Sequence, residues 1–280
     1  MPPSCISPLT HIGFTRVEPS REYSEIIECY WFINTNKPVP INTYEQLHAD
    51  GGHGIILNYA QSFTFENKQI LAKSFFDGTN TISRTLGLHG KLNAVGIRFK
   101  PTGASLQFSF PLNEIKNKVI SLDDLNIPFH SDLYNRVNEA PTVKGKASAI
   151  EYWLSQAGNH SNYIPHNILE SIKFIHLHKG TQAISSLEKH LGYSKRKIER
   201  LFNAQTGMSA KEYSTNLRME FARNLIKSNN KSLTEIAHEL GYYDQAHFIK
   251  QFRKNIGITP GEYLMKQFNT RNRSFDTCKI

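Results

Sequence analysis

His48, Asp50 and His53 have the donor types of a transition-metal site within one short window, HADGGH. The competing reading of that window is a turn whose side chains bond locally. Arg98 and Lys100 have the charge to hold an acidic ligand, or to form a surface or interdomain ion pair. Cys5, Cys29 and Cys278 are far apart and odd in number, so they form neither a disulfide framework nor a metal-ligand cluster. A denser set lies later in the chain. Lys195, Arg196, Lys197 and Arg200 recur in character as Lys250 and Arg253. Such side chains neutralise phosphates, and arginine also hydrogen-bonds guanine edges.

The net charge of +9 is unevenly divided. Residues 1–166 hold 14 Lys+Arg and 14 Asp+Glu, a balance of zero, which leaves 19 basic and 10 acidic residues in 167–280. All the excess positive charge therefore lies in the C-terminal part. That points to a polyanion held there, or to a solvated basic surface. No apolar run approaches the ~20 residues of a membrane span. The start of the chain lacks the pattern of a signal peptide. The cytoplasm is the expected compartment.

The basic residues need elements to hold them, and the sequence supplies a repeat. Leu187, Leu191, Gly192 and Tyr193 recur as Ile236, Leu240, Gly241 and Tyr242, offset by 49. Phe202, Gly207, Glu212 and Tyr213 recur as Phe252, Gly257, Glu262 and Tyr263, offset by 50. One extra residue follows the second Gly-Tyr pair. Each half reads as helix, glycine turn, helix. In the first, Ser194 is the expected N-cap, with Ile198, Leu201 and Phe202 inward. Lys195, Arg196, Lys197, Glu199, Arg200 and Asn203 are left outside. In the second, Asp244 caps and Phe248 and Phe252 face inward. Gln245, Ala246, His247, Ile249, Lys250 and Arg253 are then candidates for the exposed face. Ser209 with Glu212, and Ser232 with Glu235, have capping-box spacing. Thr259, Pro260 and Glu262 open a last helix. A first helix over 167–179 brings the predicted count to seven.

The runs LGYSKRKIERLFNAQTGMSAKEY, LRMEFARNLI and LTEIAHELGYYDQAHFIKQFRKNIGITPGEYL resemble the C-terminal domain of the AraC/XylS regulators. Ile236, Ala237, Gly241, Tyr242, Asp244, Phe248, Phe252, Arg253, Gly257, Thr259 and Pro260 stand at that family's pattern positions. The resemblance implies two helix-turn-helix units on double-stranded DNA, the second helix of each in a major groove. It implies base-facing roles for Arg196, Glu199 and Arg200, with Lys197 nearby, and for Gln245, Ala246, Ile249 and Lys250. It also implies an activator more than a repressor, and hence RNA polymerase as a partner.

The N-terminal part has a different texture. The segments YWFI, GIILNY, SFTF and AVGIRF alternate with turn residues and predict a small β-barrel or sandwich. Helices are expected over 112–119, 131–139 and 144–156. Tyr30, Phe32, Tyr59, Phe63 and Phe65 read as barrel core or ligand cage. Trp31, Ala49-Asp50-Gly51 and GIRFKPTGA from Gly96 to Ala104 resemble one subgroup of AraC-type regulators, which implies a cupin-like barrel. HADGGH departs from the ligand spacing of metal-binding cupins.

The expected class is α+β in two domains: a cupin-like barrel with flanking helices at 1–156, a linker at 157–166, an all-α seven-helix domain at 167–270, and a flexible tail at 271–280. The expected function is sequence-specific transcription regulation, with an N-terminal domain that senses a small molecule or forms a homodimer. No cofactor, metal or membrane partner is expected. The rivals are a ligand-independent regulator with a purely dimerising domain, and a metal-dependent cupin enzyme tethered to DNA. A fused DNA-repair methyltransferase would need a reactive cysteine in a Pro-Cys setting, which the three cysteines do not offer.

Overall fold

The structure, a computed structural model, describes residues 13–35, 37–60, 64–65, 68–158 and 163–266. The expected tail at 271–280, residues 159–162 of the expected linker, and Cys5, Phe63 and Cys278 lie outside the described residues. Nine short strands come first: β1 Thr15–Val17, β2 Ile27–Asn34, β3 Val39–Leu47, β4 His53–Asn58, β5 Thr64–Phe65, β6 Lys68–Gln69, β7 Ser74–Asp77, β8 Arg84–Gly90 and β9 Asn93–Phe99. Helix α1, Gly103–Gln107, is followed by a single tight turn at Leu112–Ile115 and by β10, Val119–Ser121. Two longer helices, α2 His130–Glu139 and α3 Val143–Ala157, complete this part.

The strands pair in two sheets, not in one closed barrel. One has the order β1-β2-β9-β4-β7-β10, and the other β3-β8-β5-β6. Side chains of a strand alternate between faces, so the larger sheet buries two sets. Phe32, Ile55, Leu57, Phe76, Val95 and Ile97 face α1–α3, where Trp153 and Leu154 meet them. Ile33, Phe75 and Ala94 face the smaller sheet, against Phe65, Leu86 and Leu88. Phe75 and Phe76 are neighbours in sequence and belong to opposite cores. The expected helix over 112–119 is corrected: only one turn forms, and the chain then pairs as β10 with β7, Ile120 opposite Phe76. Lys116 and Asn117 interrupt the helix, since Asn117 takes a left-handed φ of 57°.

The C-terminal part is helical: α4 His166–Leu177, α5 Ile184–Leu191, α6 Lys195–Thr206, α7 Ala210–Ser228, α8 Leu233–Glu239 and α9 Gln245–Ile256. A further helical segment, 260–266, runs to the edge of the described residues. The caps have local causes. Ser209 with Glu212 and Ser232 with Glu235 form complete capping boxes. Asp244 accepts from His247 N–H at 2.7 Å. Ser194 precedes α6 without a side-chain cap bond, contrary to expectation. Glu188 supplies the acceptor instead, taking the Lys195 N–H at 2.6 Å.

Two apolar cores result. Ile168, Ile175, Leu187, Ile198, Phe202 and Tyr213 form the first, and Ile236, Leu240, Phe248, Phe252 and Tyr263 the second. Helix α7 runs through both, with Leu217 in the first and Ala222 in the second. No helix among the described residues is long and apolar enough to cross a membrane.

Candidate nucleic-acid interface

Helices α6 and α9 hold their inner faces by the same device. Ile198 and Phe202 on α6, and Phe248, Phe252 and Ile256 on α9, are buried at i, i+4 spacing. Their partners rotate outward as a consequence. Lys195, Arg196, Lys197 and Arg200 are exposed on α6, as are Gln245, Ala246, His247, Lys250 and Arg253 on α9. A turn precedes each helix, with Gly192 and Gly241 at positive φ.

Three expected site residues are already engaged within the protein. Glu199 is half-buried, and its Oε2 accepts from the Ala210 N–H at 3.3 Å. It therefore supports the start of α7 and ties α6 to the connecting helix. Gln245 Oε1 accepts from the Thr234 hydroxyl at 2.7 Å, which links α9 to α8. The Lys197 ammonium stands 3.6 Å from the Tyr193 ring centroid, a cation–π contact. Ile249 is half-buried against the second core and also floors an open groove of about 570 Å³ along α9. Ala246, Lys250, Arg253, Lys254 and Thr259 line the rest of it. A strip of basic side chains over an apolar floor suits a sugar-phosphate edge and a thymine methyl group.

Sequence reasoning missed Lys254, Thr259 and Tyr243. Lys254 was legible as the next basic residue after Arg253. Tyr243 is the extra residue of the second repeat, and it is 88% exposed just before α9. An insertion into a repeat was the available signal for it.

The other candidates disperse. His53 packs beside the rings of Phe76 and Phe99, at centroid distances of 6.1 and 6.0 Å. His48 meets the edge of Tyr263 at 5.6 Å. Asp50 pairs with Arg98 at 2.8 Å and accepts the Gly52 N–H at 2.9 Å. Burial opposes ionisation of Asp50, but Arg98 and the Gly52 N–H outweigh it and hold the carboxyl below its usual range. No group of three or more potential ligands gathers among the described residues. Arg98 also reaches Glu28 at 3.5 Å, so both acidic partners come from within the chain. Tyr30, Phe32 and Phe65 are core, and Tyr59 stacks on Tyr134 at 4.4 Å.

Two helix-turn-helix units on a shared helix, each presenting a basic outer face, define a double-unit nucleic-acid-binding module. A helix-turn-helix domain family matches residues 187–266. A domain of unknown function (DUF6597) matches residues 15–121. The arabinose operon regulatory protein of Escherichia coli is 25% identical over 154 residues, 50% of this chain and 53% of that protein. The transcriptional activator Btr of Bacillus subtilis is 28% identical over 160 residues, 56% of this chain and 29% of Btr. The uncharacterised regulator YtdP of the same organism is 24% identical over 189 residues, 63% of this chain and 24% of YtdP. The chain thus spans about half the length, or less, of these relatives. Residues 187–266 thus match a helix-turn-helix domain, and over part of its length the chain is similar to transcriptional regulators, the arabinose operon regulatory protein among them.

Proposed function

We propose that this protein regulates transcription by reading two successive major-groove segments of double-stranded DNA with α6 and α9. The observation that supports it is the repetition: two helices, each buried on one face by i, i+4 aromatic or aliphatic residues, each leaving lysine and arginine outward. Lys195, Arg196, Lys197 and Arg200 are the contacts proposed for the first unit. Gln245, Ala246, His247, Ile249, Lys250 and Arg253 are those for the second. Glu199 is proposed to act mainly by holding α6 to α7. The domain limits proposed are 1–156, 157–166 and 167–270. The N-terminal domain is proposed to sense a small molecule or to dimerise. Activation, with RNA polymerase as partner, is proposed because one relative is a named activator. A ligand would act by binding one arrangement of the domains more tightly than another.

Arg200→Ala and Lys250→Ala test the reading faces. The chosen site is the duplex enriched by the intact protein from a random library. Both side chains are exposed, so melting should change little. Loss of Arg200 should weaken binding by ~1–3 kcal/mol and relax preference at one base pair. A phosphate contact would instead weaken all sequences alike and flatten the salt dependence. Unchanged binding by both variants would refute the placement of the reading faces.

A further inference from the structure

Helices α6 and α9 end in the same way, and the N-terminal part touches both ends. Gln205 and Asn255 occupy equivalent places in the repeat, offset by 50. The Ser105 hydroxyl lies 3.0 Å from Gln205 O, with Thr102 O at 2.9 Å competing for its one proton, and the Ser83 hydroxyl donates to Asn255 O at 2.7 Å. Thr79 Oγ1 donates to Thr206 O at 2.9 Å in a buried contact. The last carbonyls of a helix have no partner within it, so these hydroxyls complete both reading helices. The approach is close. A Cβ on Gly207, which has φ +75°, would stand 2.3 Å from Thr79 Oγ1.

Thr79 and Ser83 belong to one loop between β7 and β8. They are four positions apart in the chain, so their Cα atoms are at most about 14 Å apart. One short segment therefore bridges the ends of α6 and α9. The loop is itself held. Gly51 N–H donates to Asn80 O at 2.8 Å, and Asn80 N–H to Gly52 O at 2.9 Å. Asn117 bonds Thr81 twice, each at 2.8 Å. Gly51 in turn sits on Met208, where a Cβ would come within 2.6 Å of Cε. The Ala49–Gly52 turn is a brace for this loop. Lys116 adds an ion pair to Glu212, the capping residue of α7.

The two units have separate cores and share α7. Their direct polar ties include Arg218 to Gly180 O and the part-exposed Lys179–Glu239 pair at 2.9 Å. Exposed pairs of this kind stabilise weakly. The loop gives a second, independent bridge.

We infer that Thr79, Ser83 and Ser105 are positioning residues that set the separation and rotation of the two reading helices, and so the gap between the two DNA elements the protein accepts. This rests on the DNA-reading function proposed above. It makes the N-terminal domain a gauge of operator geometry that never touches DNA.

The test uses the full chain as wild type, as Ser83→Ala, and as the combined Thr79→Val, Ser83→Ala, Ser105→Ala variant. Each is used to select from a library of random-sequence duplexes, and the enriched pools are sequenced. Wild type is expected to enrich two sequence blocks at one gap. The combined variant should enrich the same two blocks at several gaps, with a several-fold loss of affinity for the wild-type gap. Ser83→Ala, which removes one hydroxyl and leaves the Thr79 contact, should shift the gap distribution the same way to a smaller degree. Should the combined variant lose its cooperative melt, the Ser83→Ala result decides. One unchanged gap in folded variants overturns the inference and leaves the DNA-reading function standing. A wild-type pool without any enriched block overturns that function, and the inference with it.

Discussion

Replacing Phe252 by alanine is expected to unfold the second helix-turn-helix unit. Its ring is fully buried and meets Phe248 and Tyr263 at centroid distances of 5.8 Å each. Truncating such a side chain costs ~3–5 kcal/mol, a large share of a domain's ~5–15 kcal/mol. The core it leaves is small: α7, α8, α9 and the last helical segment converge on it. Tyr263 also faces His48 of the N-terminal part, so the loss should spread into the contact between the domains. Circular dichroism in denaturant should show a lower first midpoint and less helix. DNA binding should fall toward that of one unit. A melting profile like wild type would disprove the assignment of Phe252 to the core of this unit. Phe202→Ala is the matched variant in the first unit, since that ring is equally buried.

Acid should destabilise the folded protein well before its carboxylates are protonated. His53 is 1% exposed, and neither ring nitrogen has a hydrogen-bond partner among the described residues. Burial, with a smaller effect from Arg98, pushes its pKa down to about 3. Burial, then Arg223 and Lys227, push that of His48 down to about 4. Both imidazoles are therefore neutral in the folded state and take a proton near the usual 6.5 when unfolded. The stabilisation is present above pH 6.5 and is lost progressively as the pH falls toward 3. At pH 4.5 the deficit from His53 alone is roughly 2–3 kcal/mol. His53→Leu should flatten the stability profile between pH 6.5 and 4.5. A variant whose profile parallels that of wild type over this range would show that His53 is not the cause.

The C-terminal part was legible because its determinants are local. A capping box spans four residues, and an i, i+4 pair defines the buried face of a helix without reference to anything distant. Ser209, Ser232 and Asp244 act as the sequence indicates. Where a distant group competes, the reading failed. Glu188 takes the capping role expected of Ser194, and Glu199 turns to Ala210. The N-terminal part was legible only as β-rich. The strands Val39–Leu47 and Arg84–Gly90 do not stand out as apolar runs, yet they pair with each other as the frame of the second sheet.

The sequence by itself determined the two reading helices, their buried and basic faces, and the family to which they point. Those properties follow from side-chain periodicity and charge within a few turns of chain. Tertiary structure decided whether the strands close into a barrel, because the pairing of strand edges depends on contacts between residues far apart in sequence. It also decided the use of HADGGH. Those residues have the donor types of a metal site. The approach of Met208, Arg98 and Asn80 to the turn instead commits it to joining the domains. Spacing along a chain limits which groups can meet, and only packing selects which of them do.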